Sequence, residues 1–207
     1  MYWPERLHDR INVEVINRNT SLKKFIYRKN VIPTDLCDFL VSKISKENWS
    51  THTWYDSTSD SFASESFNEP DVLSCTKQIQ DYVTPIVNRC IVEYDQKFTY
   101  SKCDRAKNVV KKLSMIRFNR YEQDQMMRQH IDHIQSLFDG DQKGIPILSV
   151  VANLNDDYDG GQLYFWDNFT LKLKKGDVVI FPSTFMFPHG VKKVSKGTRY
   201  SFVCWGW

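Results

Sequence analysis

Apolar residues change their spacing part-way along the chain, and the change predicts the architecture. In "IPTDLCDFLVSKISKEN" (32–48), Leu36, Phe39, Leu40 and Ile44 recur near helical spacing, and Pro33 with Thr34 or Asp35 supplies a start signal. "PDVLSCTKQIQDYVTPIVNRCIVEYDQKF" (70–98) is a stronger helical pattern, with Val72, Leu73, Thr76, Ile79, Val83, Ile86, Val87, Cys90 and Tyr94 along one face. Pro85 has no N–H to continue the ladder, so a kink or a split is expected there. Between the two lies 49–70, rich in Ser, Thr and Asp and without a steady period, which predicts a long loop with room for a short strand. Its Trp49, Trp54, Tyr55, Phe62 and Phe67 argue against full disorder.

From residue 113 the period switches from helical to alternating. "LSMIRFNRY" (113–121), "PILSVVANLN" (146–155), "QLYFW" (162–166), "FTLKLK" (169–174), "DVVIFP" (177–182), "HGVKKV" (189–194) and "RYSFVCWGW" (199–207) read as short strands. Turns are marked by Gly160-Gly161, Asp167-Asn168 and Lys175-Gly176-Asp177. Closely spaced strands after a helical half predict an α+β fold: an antiparallel sandwich or jelly roll with the two N-terminal helices packed on one sheet. Neither an internal repeat nor a low-complexity linker interrupts it. The expectation is therefore a single domain over 1–207, with about 1–112 as helical and loop support and about 113–207 as the β core.

Composition narrows the class without deciding it. The 207 residues are 41% hydrophobic and 26% charged, an ordinary globular balance. The net charge of +3 is too small to imply a nucleic-acid partner, and the densest basic run, "KCDRAKNVVKK" (102–112), reads as a solvated face. The five cysteines (Cys37, Cys75, Cys90, Cys103, Cys204) are odd in number and widely spaced with no CxxC, so neither a disulfide framework nor a zinc knuckle is expected. They read as small buried hydrophobes. With no apolar leader in "MYWPERLHDR" and no run of membrane-spanning length, a cytoplasmic setting and no membrane partner are expected.

The chemistry lies in "QHIDHIQ" (129–135). His130 and Asp132 are two apart, so on an extended segment both point to one face and can converge on one ion, while His133 has the opposite parity. A third ligand is available in His189, at the start of a later strand. Two imidazoles and one carboxylate with open positions suit non-haem Fe(II); catalytic zinc with a bound water is the alternative. Ten residues after His189 comes Arg199, on a strand where Arg199, Ser201, Val203 and Trp205 share one face and Tyr200, Phe202 and Cys204 the other. An arginine facing inward needs an anionic partner. A carboxylate-bearing ligand, held bidentately with Ser201 assisting, would supply one.

The array "HID…GDVVIFPS…HGV…VSKGTRYSFVCW" resembles the Fe(II)- and 2-oxoglutarate-dependent dioxygenases, and within them the prolyl 4-hydroxylase-like branch. The resemblance covers about 113–207 and, more loosely, the helices from 32. It implies a double-stranded β-helix. It implies His130, Asp132 and His189 as iron ligands, with Arg199 and Ser201 holding the distal carboxylate of 2-oxoglutarate. Tyr121 matches a tyrosine that hydrogen-bonds the cosubstrate, and Trp205 an aromatic lining the site. The cofactors so implied are Fe(II), 2-oxoglutarate and O2, with ascorbate as a candidate reductant. The products are a hydroxylated C–H, succinate and CO2, and the family's usual substrate is a prolyl residue in a peptide or protein.

The chain departs from the family pattern at Asn153, where a tyrosine is common, and at Met127, where an aromatic is common. Asn153 could still donate its amide to the cosubstrate. The departures fall around the pocket and bear on substrate more than on chemistry. By parity, Met115, Arg117, Asn119 and Tyr121 share a face, so Arg117 and Asn119 are candidate substrate contacts. A hydroxylase of a free amino acid or other small molecule is the alternative, and a non-catalytic jelly-roll binding module a more distant one. Nucleic-acid demethylases of the superfamily carry a second arginine six residues after the first, where this chain has Trp205, so no nucleic-acid partner is expected.

Overall fold

The computed structural model describes residues 22–56, 61–63, 68–98, 109–132 and 144–207. His133, Cys103, Phe67 and most of the basic run 102–112 lie outside the described residues.

The first half opens with strand β1 (Tyr27–Asn30), followed by helix α1 (Thr34–Ile44). Short strands β2 (Ser50–Thr51), β3 (Trp54–Asp56), β4 (Ser61–Ala63) and β5 (Asp71–Ser74) come next, and then helix α2 (Lys77–Phe98). The second half is almost wholly β. It runs through β6 (Arg117–Tyr121), β7 (Met127–His130), β8 (Leu148–Asn153), β9 (Asp159–Gly160) and β10 (Leu163–Phe165). β11 (Phe169–Leu171), β12 (Asp177–Pro182), β13 (His189–Val191), β14 (Val194–Lys196) and β15 (Arg199–Gly206) complete it.

The pairings are antiparallel and form a seven-stranded sheet in the order β1-β12-β8-β15-β6-β5-β2, facing a four-stranded sheet in the order β11-β10-β13-β7. The large sheet is buried on both faces. Val150, Ala152, Val178, Ile180, Phe202 and Cys204 pack under the helices with Leu40, Ile44, Val83 and Val87. Their sequence neighbours Val151, Val179 and Phe181 point the other way and meet Leu163, Phe165, Phe187 and Val191 of the small-sheet side. Strands sandwiched in this way read as continuous apolar runs, which is why "SVVAN" and "DVVIF" carry so little polarity.

Three features of the first half differ from the sequence expectation. The segment expected to begin the second helix is strand β5: Val72 and Leu73 pair with Asn119 and Phe118, and Asp71 accepts from Arg120 Nη2 at 2.7 Å. The helix starts at Lys77 and runs through Pro85 as one element, so it is not split. Pro85 sits on its exposed side, where the carbonyl that loses its donor can turn to water. The N-terminal edge strand β1 was not expected. It is held by Arg28 and Asn30, both donating to the buried Asp177 carboxylate of β12.

The cysteine reading holds for four of the five. Cys37, Cys75, Cys90 and Cys204 are free and buried, and burial pushes the thiols up, Cys37 and Cys75 to about 11 and Cys204 to about 12. Among the described residues, no helix is long and apolar enough to cross a membrane.

Candidate metal and anion site

β7 and β13 are neighbours in the small sheet, and their register sets His130 directly opposite His189. The two rings lie 4.5 Å apart between centroids. Asp132 follows two residues after the end of β7 and completes the group. Its Oδ1 is 3.5 Å from His130 Nε2 and its Oδ2 3.5 Å from His189 Nε2. One ligand atom from each of the three residues can be chosen with all lying within 4.8 Å of one another. The expected parity of His130 and Asp132 is therefore realised.

Both imidazoles are aimed by their own backbone. His130 Nδ1 lies 2.8 Å from the Arg128 carbonyl, and His189 Nδ1 lies 3.0 Å from that of Phe187. A carbonyl only accepts, so each Nδ1 carries the proton and each Nε2 offers its lone pair to the site. Burial pushes the His189 imidazole down to about 4 against the pull of Asp132, which keeps it neutral. Burial would raise the Asp132 carboxyl, but His189, His130 and Ser149 outweigh it and hold it well below the usual carboxylate range. Two imidazoles presenting Nε2 around an ionised carboxylate form the donor set that a divalent cation takes.

Sequence reasoning missed what supports these side chains. Ser149 on β8 donates to Asp132 Oδ2 at 2.5 Å, and its hydroxyl shares a 2.7 Å hydrogen bond with Ser183 just past β12. Trp54 of β3 packs edge-on against His130 at 5.2 Å, and Phe181 edge-on against His189 at 4.6 Å. A serine in a buried strand had no signal beyond its parity, and Trp54 lay in a stretch read as loop.

The cavity continues from these residues over the inner faces of β15 and β6. Arg199, Ser201, Val203 and Trp205 line it from one strand and Arg117, Asn119 and Tyr121 from the other, as both parity readings expected, whereas Met115, expected on the same face, lies before β6 and is exposed. Arg199 is 1% exposed, the largest side chain so fully enclosed. Nη1 donates to Ser201 Oγ at 3.0 Å, and the guanidinium lies over the Tyr121 ring at 4.9 Å. Its Nε and Nη2 are buried with no hydrogen-bond partner. A guanidinium stays charged, so two unanswered donors call for an anion in the cavity, and a carboxylate fits their fork. Burial raises the Tyr121 phenol, which therefore remains a neutral donor.

The Gly-Gly turn makes the close fit of Arg199 possible. Gly161 has φ +61°, and a Cβ there would stand 3.0 Å from Arg199 Cδ. At Gly190, beside His189, a Cβ would meet the Met127 carbonyl at 2.6 Å.

Asn153 is not brought to the cavity. Its amide donates to the Asn155 carbonyl and its oxygen accepts from the Tyr158 hydroxyl at 3.1 Å, so its polar atoms are already committed to the loop after β8. Met127 is buried and lines the cavity in place of the aromatic.

Residues 116–207 match the model of the 2OG-Fe(II) oxygenase superfamily. This part of the chain is similar to that superfamily, over less than half of the 207 residues. Its name carries Fe(II) and 2-oxoglutarate, and the His-Asp-His group and the unanswered Arg199 donors fit that pair. A PKHD-type hydroxylase of Delftia acidovorans is 35% identical over 43% of this chain and 41% of its own length. One of Acinetobacter baumannii is 35% identical over 42% of this chain and 40% of its own. The chain thus spans about two fifths of the length of the curated relatives it matches. In fold it is similar to a Pseudomonas putida prolyl-4-hydroxylase, with TM-score 0.59 and 18% identity over 88% of this chain and 91% of that one. A Trichoplax adhaerens prolyl hydroxylase, solved with a hypoxia inducible factor oxygen degradation domain peptide, gives TM-score 0.64 and 14% identity over 92% and 88%.

Proposed function

We propose that the chain is an Fe(II)- and 2-oxoglutarate-dependent dioxygenase that hydroxylates a substrate C–H, with a prolyl residue of a peptide or protein as its first substrate class. The two facing sheets are read as a double-stranded β-helix. The observation that carries the reading is the pairing of the His130-Asp132-His189 group with a buried arginine whose Nε and Nη2 lack partners in one cavity.

In this reading His130, Asp132 and His189 hold the iron through Nε2 and carboxylate oxygens. Arg199 and Ser201 hold the distal carboxylate of 2-oxoglutarate, with the Tyr121 hydroxyl beside them. Bound iron with the cosubstrate and O2 supplies the oxidising chemistry, and 2-oxoglutarate leaves as succinate and CO2. The chain's own residues do the positioning. Ser149 and Ser183 fix the Asp132 rotamer, the carbonyls of Arg128 and Phe187 fix the imidazole tautomers, and Phe165, Phe181 and Trp54 wall the ligands off from water. The prolyl class rests on the kind of proteins the chain resembles, PKHD-type and prolyl hydroxylases.

The test supplies Fe(II), ascorbate and 2-oxoglutarate with proline-containing peptides and, separately, free amino acids. Succinate is quantified and the substrates are weighed by mass spectrometry. The expected result is a gain of one oxygen atom matched by succinate. Absence of bound iron together with no 2-oxoglutarate consumption would overturn it in favour of a binding module.

A further inference from the structure

Arg199 is not the only guanidinium in the cavity; the half-buried Arg117 is a second. Arg117 enters from the other end of β6, four residues before Tyr121, or about 13 Å along an extended strand. It lies over the Trp205 ring at 5.3 Å, and its Nε is shut off from water without a hydrogen-bond partner. No acid lies within ion-pair distance of it among the described residues. Asp132, which lines the same cavity, already has its oxygens facing Ser149 and the two imidazoles. On the same sheet Trp205 pairs with Ser149, the residue that holds Asp132. The triad and Arg117 therefore share one end of the cavity, and Arg199 occupies the other.

Charge counting gives Arg117 a purpose. Among the described residues, the charged side chains lining the cavity are Asp132, Arg117 and Arg199. Add a divalent cation and doubly charged 2-oxoglutarate, and the filled cavity is left with one positive charge. The cosubstrate's two carboxylates are taken by Arg199 and by the metal, so neither answers Arg117. An uncompensated charge in a desolvated site is costly, and it is removed by one more anion at the metal end. The group that arrives there is the substrate.

Resting on the dioxygenase reading above, we propose that Arg117 is a specificity-determining residue: the substrate carries a carboxylate close to the carbon that is oxidised, and Arg117 receives it. The carboxylate is that of a free amino acid or of an acidic group beside the reacting residue of a peptide. Asn119 Oδ1, also buried without a partner on the same strand face, would accept from an amine or amide N–H of the same substrate.

The decisive experiment is a crystal structure of the wild-type chain with Mn(II) and 2-oxoglutarate, grown in acetate as the probe anion. Acetate on the Arg117 guanidinium, with 2-oxoglutarate on Arg199, is the expected result. Arg117 paired with 2-oxoglutarate, paired with an acid of the chain, or bare in acetate would each overturn the proposal. Failure of Mn(II) and 2-oxoglutarate to bind at all would instead overturn the dioxygenase reading. Calorimetry adds a second arm: Arg117→Met should weaken 2-oxoglutarate binding less than 5-fold, while Arg199→Met weakens it by about 100-fold or more. Equal losses would assign Arg117 to the cosubstrate. Substrate-stimulated succinate release then separates the two sources, free amino acids against acidic peptides. Stimulation by carboxamides as strong as by the matching acids would refute the role.

Discussion

Replacing Arg199 by methionine should move ligand binding and stability of the ligand-free protein apart. In the free protein Arg199 makes one hydrogen bond, to Ser201, and one ring contact, to Tyr121, and leaves Nε and Nη2 unanswered. The contacts are worth about 1 kcal/mol each. The two buried, unpaired donors cost about 1–3 kcal/mol apiece. Methionine keeps most of the volume and removes both terms, at the further cost of freeing the Ser201 hydroxyl. The ligand-free Arg199→Met protein should therefore be as stable as the parent, or more stable. In the 2-oxoglutarate complex the same change deletes two charge-assisted hydrogen bonds, about 1.5–3 kcal/mol each, which corresponds to 10²- to 10⁴-fold weaker binding. Calorimetry with Mn(II) in place of iron measures the second effect and thermal denaturation the first. At a ligand concentration 100 times Kd, 2-oxoglutarate should stabilise the parent by about 2.7 kcal/mol, which is several degrees in Tm, and leave the variant almost unmoved. A variant that melts well below the parent yet binds 2-oxoglutarate normally would show that Arg199 is a structural residue, and the anchor assignment would be wrong.

His130→Ala, Asp132→Ala and His189→Ala should each abolish iron retention and both substrate-dependent and uncoupled succinate formation; full activity in all three would remove the metal site. Ser149→Ala should keep the fold but weaken metal binding about 10-fold or more, the usual effect of losing a group that orients a ligand, and metal titration with an unchanged circular dichroism spectrum reads it. Gly161→Ala forces a side chain into φ +61° with its Cβ 3.0 Å from Arg199 Cδ, so it should destabilise by about 1–2 kcal/mol and raise the 2-oxoglutarate requirement while sparing metal binding. If Gly161→Ala instead lowers metal affinity and leaves the 2-oxoglutarate requirement alone, the link between this turn and Arg199 fails.

What was legible in the sequence was set by local pattern. β12 was read residue for residue over 177–182, because it is a short apolar run closed by turn residues. The faces of β6 and β15 were read correctly from alternation alone, because the side-chain period of a strand leaves no freedom once one residue is assigned. β5 was misread because Val72 and Leu73 fit a helical period by coincidence, and only pairing with β6 makes them strand. β1 has one buried residue in four, so its pattern says nothing; distant Asp177 holds it. Ser149, Ser183 and Trp54 carry no chemistry until the fold sets them against Asp132 and His130. Asn153 was misjudged for the same reason, since its partners Asn155 and Tyr158 become visible only in the turn they share.

The strands that build the site also build the core, and this couples stability to specificity. On β15, Phe202 and Cys204 pack beneath the helices while Arg199, Ser201 and Trp205 face the cavity. β8 does the same with Val150 and Ala152 on one side and Ser149 on the other. A slip of one residue would drive the Arg199 guanidinium into the apolar layer and turn Phe202 toward the metal ligands, so the register is enforced from both faces at once. The apolar face therefore supplies the precision of the polar one. His130 and His189 come from the opposite sheet, and the distance between the triad and Arg199 depends on how the two sheets pack. Phe165 and Phe181 meet there, edge to face at 4.8 Å between the sheets and both against His189. Trimming either ring should therefore loosen the site before it unfolds the chain, showing first as uncoupled 2-oxoglutarate consumption rather than as lost structure.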